Sequence, residues 1–230
     1  MRTRVDFLLR QGVETAVWFC ECQYMETNLD SVIYALEKGF TIGNHASSHS
    51  AFSQLSIAEA CAEIEQTEEL IRTAHSQAGR EDCPLYFRFP YGDKGDGGRP
   101  AEVLPDPQLA AHRKAIQVFL KERGYKPPPW DYQLVDSSYH QPGDVDWLWT
   151  FESKDWRCRV NENNTHRAPE TLERYRREFL RPLSSSLPEQ VQVLLIHDHD
   201  FGETRLFEET ITSVTNGRWV GPHDLLCESV

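Results

Sequence analysis

The sequence lacks an excess of positive charge. It contains 24 Lys and Arg residues against 36 Asp and Glu residues, which gives a formal net charge of −12 at pH 7. Proteins that bind nucleic acid use clustered basic side chains to neutralise phosphates. The composition therefore argues against a nucleic-acid partner. It is compatible with a neutral or cationic substrate, although acidic surfaces often serve only solubility.

Long apolar runs are also missing. No stretch reaches the roughly 18 residues of a membrane span, and Asp6 interrupts the short apolar run near the start, so no secretory signal is visible. We expect no membrane span and, for the chain as given, a cytoplasmic location. The 230 residues are 39% hydrophobic, which is enough for a substantial core. We expect a single domain over residues 1–230.

The six cysteines do not have the spacing of a disulfide or zinc framework. They lie at positions 20, 22, 61, 83, 158 and 227, without a Cys-x-x-Cys pair. Most are expected to be buried, reduced thiols. Cys20 and Cys22 would share a strand face only as an isolated pair, which does not make a structural zinc site.

Apolar strands alternate with helices along the chain. The predicted strands are 13–20, 40–43, 85–89, 147–152 and 191–196, and the predicted helices are 29–37, about 56–79, 112–123 and 169–180. Strands that are apolar on both faces and separated by helices indicate a parallel sheet or barrel. In α/β barrels, active sites lie where the strands end. Residues 93–146, rich in Pro and Gly, are interpreted as a long excursion over the barrel mouth that influences substrate preference.

The helix predicted from about residue 56 begins with a capping-box pattern, Ser56 with Glu59. Five acidic side chains are spaced along this helix, and they are most simply interpreted as its solvent-exposed face. They are Glu59, Glu63, Glu65, Glu68 and Glu69.

The most informative segment follows the predicted strand 40–43. It reads Gly-Asn-His-Ala-Ser-Ser-His and places His45 and His49 four residues apart. Residues i and i+4 share one face of a helical turn, and neutral imidazole is a common metal ligand. A catalytic zinc usually has three protein ligands and one open position. The pair therefore predicts part of a metal site, with a third ligand to be found.

Three later strand ends carry further motifs. Residues 88–92 read Arg-Phe-Pro-Tyr-Gly, residues 152–156 read Glu-Ser-Lys-Asp-Trp, and residues 195–197 read Leu-Ile-His. With the histidine pair, these segments resemble four of the five motifs of the polysaccharide deacetylase family, which contains the NodB homology domain and is also called carbohydrate esterase family 4. Four motifs in the family's order, each after a predicted strand, make the resemblance specific. It covers roughly residues 5–200.

The resemblance implies both a fold and a reaction. The fold is α/β, a distorted (β/α)7 barrel of the NodB type. The reaction is metal-dependent removal of acetyl groups from N-acetylated, or less often O-acetylated, oligo- or polysaccharides. His45 and His49 would hold a divalent metal, most simply zinc, and His197 would be the general acid that protonates the sugar nitrogen.

The same resemblance assigns roles to five other residues. The backbone N–H of Tyr91 would donate to the oxyanion. Arg88 and Asp155 would form the charged pair that tunes the site. Trp156 and Leu195 would shape the pocket for the acetyl methyl group. These are expectations carried by the motifs and not by composition or periodicity.

The family's first motif, Thr-Phe-Asp-Asp-Gly, has no counterpart in the chain. In the family its two Asp residues supply the catalytic base and the third metal ligand. Residues 7–19 resemble the helix end and second strand that follow this motif, so we expect a barrel that lacks its first strand.

Three interpretations of this departure stay open. The chain begins downstream of the motif of an ordinary enzyme, it is a pseudoenzyme that keeps a sugar-binding groove, or a substitute acid comes from elsewhere. The substitute candidates nearest the motifs are Asp93, His140, Asp198, His199 and Asp200.

Overall fold

The computed structural model describes residues 1–100, 102–128, 139, 141–149, 151–152, 177, 193–197 and 206–213. Within these residues the helices are α1 (Arg2–Arg10), α2 (Cys22–Glu37), α3 (Ile57–Gln77), α4 (Ala110–Glu122) and α5 (Leu206–Ser213). The strands are β1 (Val17–Cys20), β2 (Thr41–Asn44), β3 (Phe151–Glu152) and β4 (Leu194–Leu195). The described part of the chain is therefore α/β, with α2 between β1 and β2 and with α3 and α4 between β2 and β3.

The described strands pair in parallel. Strand β1 runs beside β2, with Cys20 opposite Asn44, and β3 runs beside β4. Phe87 continues the sheet beyond β2 through single parallel bridges to Asn44 and to Asp146. Because parallel neighbours end at one edge of a sheet, the residues after β1, β2 and Phe87 are collected there. The predicted parallel arrangement is confirmed for these pairs, whereas closure into a seven-stranded barrel stays a prediction.

Most predicted elements exist with altered ends. Helices α3 and α4 match their predictions within about two residues, and α3 begins with the predicted capping box. Strand β1 is shorter than the predicted 13–20, because Val13 donates its N–H to Leu8 and so belongs to the turn that ends α1. Of the predicted strands 85–89, 147–152 and 191–196, the described residues show a bridge at Phe87, with Asp146 as one partner, and the short strands β3 and β4. Apart from residue 177, the predicted helix 169–180 lies outside the described residues.

Helix α2 begins seven residues before the predicted start. Asn28 interrupts it with non-helical backbone angles (φ −128°, ψ 25°) and donates its side-chain amide to the Tyr24 carbonyl at 3.0 Å. The kink divides the apolar pattern of α2 into two parts, and only the part after Asn28 predicted a helix. None of the helices that the structure describes is long and apolar enough to cross a membrane.

Two apolar clusters hold the sheet. One joins α1, α2, β2 and α5 through residues such as Val5, Leu36, Ile42 and Phe207. The other lies between α3, α4 and residues 85–89, and three of its aromatic rings, those of Phe52, Phe87 and Phe89, have centroids 4.7–5.8 Å apart. The second cluster packs against the end of the segment 85–89 and against the loop after β2.

A buried ionic network ties residues 93–98 to α4. Lys94 is 1% exposed, and its Nζ lies 2.8 Å from an oxygen of Asp144 and 3.0 Å from one of Asp146. Arg113 on α4 pairs with Asp96 at 2.9 Å and with Asp144 at 2.5 Å. Buried charges are tolerated only when they are paired in this way. The beginning of the predicted excursion 93–146 is thus fixed against the body of the domain.

Candidate active site

Asn44 anchors the loop that follows β2. This residue is fully buried, and its amide donates to the Ile64 carbonyl at 2.9 Å and to the Tyr125 hydroxyl at 2.7 Å. Its side-chain oxygen accepts the N–H of Ala46 at 2.8 Å. Three hydrogen bonds from one side chain therefore fix the direction in which the chain leaves the strand at His45.

Glu63 on α3 supports the middle of the same loop. Its carboxylate accepts the backbone N–H groups of Ser47 and Ser48 at 2.8 and 2.7 Å and the Ser48 hydroxyl at 2.6 Å. A carboxylate that accepts three donors is a strong clamp, because each bond is charge-assisted. Glu63 thereby holds the segment between the two histidines.

The interpretation of the glutamate run as a solvated face was wrong for part of it. Glu68 is 2% exposed and pairs with Arg72 and Arg123, each at 2.8 Å. It lies four residues after Ile64, which is fully buried, so it shares the buried face of α3. Helical periodicity, applied residue by residue, was the signal that would have separated Glu68 from its neighbours.

Backbone strain collects around the histidine pair. Among the described residues, the non-glycine positions with positive φ are Ala46 (65°), His49 (55°) and Tyr91 (58°). Such conformations are unfavourable for L-residues and persist where the surroundings over-determine them, commonly at functional sites. Here they bend the loop after β2 and the turn after Phe89 toward each other.

The bends bring four polar side chains together. The rings of His45 and His49 lie 4.9 Å apart between centroids, and the Tyr91 ring lies 4.7 Å from that of His49. Glu21, the first residue after β1, places its Oε1 4.0 Å from Nε2 of His49. Tyr91 is 53% exposed, so one wall of the cluster faces solvent.

The protonation of His45 follows from its partner. Its Nδ1 lies 2.7 Å from the Arg88 carbonyl oxygen. A carbonyl can only accept, so Nδ1 carries the hydrogen and Nε2 of the neutral ring keeps its lone pair. Burial, with the neighbouring His49 as the next cause, lowers the pKa of His45 to about 3. His45 is therefore neutral at physiological pH.

The pKa of His49 is also lowered, and His197 is one of the causes. Burial lowers the pKa of His49, with Glu21 acting in the opposite direction and His197 adding to the decrease. His197 also contributes to the lowered pKa of His45. The structure thus brings the predicted residues His45, His49, Tyr91 and His197 into one electrostatic environment.

Arg88 lies beneath this group. Its side chain is 8% exposed, its guanidinium carbon is 4.3 Å from the centre of the Phe19 ring, and its Nε donates to the Trp147 carbonyl at 3.3 Å. Leu195 lies in β4 and is partly buried. The predicted partners Asp155 and Trp156 fall outside the described residues, so the Arg88–Asp155 pair stays a prediction.

Of the residues predicted as possible substitutes for the missing acid, only Asp93 lies within the described residues. Asp93 is 2% exposed and accepts hydrogen bonds from the backbone and hydroxyl of Ser53 and from the N–H groups of Gly95 and Gly97. Its carboxylate therefore shapes the 93–97 loop. The other candidates, His140, Asp198, His199 and Asp200, lie outside the described residues. Sequence reasoning missed Glu21, although its place directly after a strand was an available signal.

The donors at this edge suit a divalent metal in their chemistry. Two neutral imidazoles next to a carboxylate are common zinc ligands. In the part of the chain that the structure describes, however, no three His, Cys, Asp or Glu side chains are already close enough to form a metal-binding group. Binding would require a small adjustment of side chains around the histidine pair.

An Asn44→Ala substitution is expected to destabilise the domain by about 3 kcal/mol, because it leaves the Ala46 N–H without its acceptor and removes the buried bond to the Tyr125 hydroxyl. The measurement is urea unfolding followed by circular dichroism. Asn28→Ala, at the kink of α2, is the matched control and is expected to change the free energy of unfolding by less than about 1 kcal/mol. Equal effects of the two substitutions would contradict the anchoring role of Asn44.

Comparisons with known proteins agree on the family of folds. Residues 2–101 match the family model described as polysaccharide deacetylase. No curated protein sequence matches the chain. Among solved structures, a family 4 carbohydrate esterase from Streptomyces lividans in complex with acetate is 18% identical, with a TM-score of 0.55 over 98% of this chain and 81% of the esterase.

Two other solved structures are similar. A polysaccharide deacetylase from Bacillus cereus is 16% identical, with a TM-score of 0.57 over 98% of this chain and 81% of that protein. A family 4 pseudoenzyme from Bacillus anthracis is 15% identical, with a TM-score of 0.55 over 93% of this chain. The chain spans only 54% of the pseudoenzyme's length. At these identities the likeness establishes the fold.

Proposed function

We propose that this chain, whose predicted resemblance to polysaccharide deacetylases is confirmed by the family match over residues 2–101 and by the shared fold, removes acetyl groups from N-acetylated, or less often O-acetylated, carbohydrates. The observation that carries the proposal is the convergence of His45, His49 and Tyr91 where the parallel strands end, with His197 contributing to the lowered pKa of His45. The acidic composition suits a neutral sugar substrate better than a polyanion.

His45 and His49 would hold a divalent metal, most simply zinc. The metal, when bound, supplies an activated water and polarises the acetyl carbonyl. Two features of the histidines support this assignment: both have lowered pKa values, and the Nδ1–H bond of His45 to the Arg88 carbonyl leaves the lone pair of Nε2 available to a metal. Metal-ligating histidines usually donate their second nitrogen to such an acceptor.

His197 would donate a proton to the departing sugar nitrogen. An amine is a poor leaving group unless it is protonated, so amide hydrolysis needs an acid on the leaving-group side. The backbone N–H of Tyr91 would donate to the oxyanion, and its exposed ring would border the sugar. Leu195 and Trp156 would enclose the acetyl methyl group, while Arg88 and Asp155 would tune the charge of the site.

The finer architecture belongs to the same proposal. We expect the parallel pairs to be parts of a distorted (β/α)7 barrel with the histidine loop at its mouth. The segment 93–146 would border that mouth and select the polymer. Its beginning is held rigidly by Lys94 and Arg113, which favours a fixed wall over a closing lid.

A second candidate function is non-catalytic carbohydrate binding. It is favoured by the similar fold of the Bacillus anthracis pseudoenzyme. A mutant of that pseudoenzyme has restored enzymatic activity. A change to one protein of this fold can therefore separate an inactive form from an active one.

The test is acetate release from N-acetylglucosamine oligomers. The protein, first stripped of metal with a chelator, is expected to release acetate only after stoichiometric zinc is added. Saturable binding of the oligomers without acetate release would favour the second function. Failure to bind zinc at micromolar concentration would contradict the proposal that this chain is a hydrolase.

A further inference from the structure

We propose that Glu21 is the third protein ligand of the metal site in this chain. The inference rests on the proposed function, because it completes the site of His45 and His49. It assigns a role to a residue that none of the four motifs contains. The occupant would be a divalent metal that accepts two imidazoles and one carboxylate, as zinc does in catalytic His₂Glu sites.

The backbone places Glu21 beside the histidine loop. Strand β1 pairs with β2 so that Cys20 lies opposite Asn44, and the next positions along are Glu21 and His45. The N–H of His45 donates to the Cys20 carbonyl at 3.0 Å, and the N–H of Cys22 donates to the Ala46 carbonyl at 3.2 Å. Glu21 is thus held between two hydrogen bonds that join the ends of the strands.

The distance to His49 is close to that of a shared metal. Two ligand atoms about 2.1 Å from one tetrahedral zinc are roughly 3.4 Å apart. Glu21 Oε1 and His49 Nε2 are 4.0 Å apart, and both side chains are 33% exposed. A movement of roughly half an ångström closes the difference. Partly exposed side chains can make that movement, which the site requires because no ready group of three exists in the described residues.

Other acids near the loop are already committed. Glu63 accepts three hydrogen bonds from Ser47 and Ser48, and Asp93 accepts four within its own loop. Moving either carboxylate to a metal would break the turns that it holds. The Glu21 carboxylate faces His49 instead, and a metal between them would replace a loose contact by two direct bonds.

The experiment measures metal affinity and not turnover. Zinc is titrated into metal-free wild type and into Glu21→Gln in competition with a chromophoric chelator, and Co²⁺ is used in parallel because its visible spectrum reports the ligand set. We expect one metal per wild-type chain. Glu21→Gln should weaken zinc binding roughly 100-fold or more, since even outer partners of a ligand contribute about 10–100-fold.

Glu14→Gln is the matched control. Glu14 is exposed and precedes β1, so the substitution makes the same charge change at the opposite end of the strand. It should leave zinc affinity within about twofold, while Glu21→Asp, which keeps the charge but shortens the reach, should be intermediate. Circular dichroism of each variant verifies folding.

Three outcomes decide the matter. Wild-type affinity in Glu21→Gln, together with loss of zinc in His45→Ala, would overturn the role of Glu21 and leave the histidine pair in place. No zinc binding by the wild type would overturn the inference altogether. Zinc binding that depends on Glu21, without acetate release, would support the inference and count against the hydrolase.

Discussion

A Lys94→Met variant is expected to lose about 3–5 kcal/mol of stability, the cost of leaving buried charges without their partner. Lys94 is 1% exposed and lies between Asp144 and Asp146, which are themselves 7% and 0% exposed. Methionine fills a similar volume, so the loss arises from the two carboxylates that remain buried. Arg113 still faces Asp144, which moderates the effect there but not at Asp146.

Urea unfolding at pH 7 measures the difference in the free energy of unfolding, and Lys114→Met on the exposed side of α4 is the control, with an expected effect below about 0.5 kcal/mol.

Burial acts against the charged form of Asp144, but Lys94 and other partners outweigh it and hold the pKa below the ordinary 3.8. A lowered folded-state pKa contributes stability that is fully present above pH ~4 and is lost as pH falls through the folded value. The gap between wild type and Lys94→Met should therefore narrow in acid. A gap under 1 kcal/mol at pH 7 would contradict the structural role of the network.

The second large effect is expected for His197→Ala, which should slow acetate release from N-acetylglucosamine oligomers by about 10²–10⁴-fold if His197 is the general acid. The reason is the leaving group, since a sugar amine must be protonated as it departs. An aryl acetate such as 4-nitrophenyl acetate releases a stable phenolate and needs no acid. On that ester the variant should lose little activity.

This contrast separates the acid role from a structural one. His197→Ala should bind zinc as the wild type does, because His45 and His49 are unchanged. Equal losses on the amide and the ester would show that His197 positions the site without protonating the nitrogen. Loss of zinc together with activity would assign it to metal binding.

The sequence predicted the parts of the site that depend on local patterns. The apolar runs predicted that His45 follows a strand and that Tyr91 follows the strand 85–89, and the structure bears this out through β2 and the bridge at Phe87. Parallel pairing then brings the loop of His49 and the turn of Tyr91 together. Order along the chain and hydrophobic pattern were sufficient for these contacts.

Other features depend on which residues meet across the fold. Glu21 resembles any helix-start acid until the β1–β2 register places it beside His45. The burial of Lys94 and Glu68 likewise depends on partners that are 50 and 55 residues away, Asp144 and Arg123. A long polar side chain is normally exposed, and only a tertiary partner reverses that expectation.

The anchor of the histidine loop extends to the outer surface of the domain. Burial raises the pKa of the Tyr125 hydroxyl, which accepts the amide of Asn44, and the neighbouring Glu68 adds to that rise. Glu68 is in turn paired with Arg123 at the end of α4. The residue before His45 is therefore supported by α3 and by the end of α4 as well as by its own sheet.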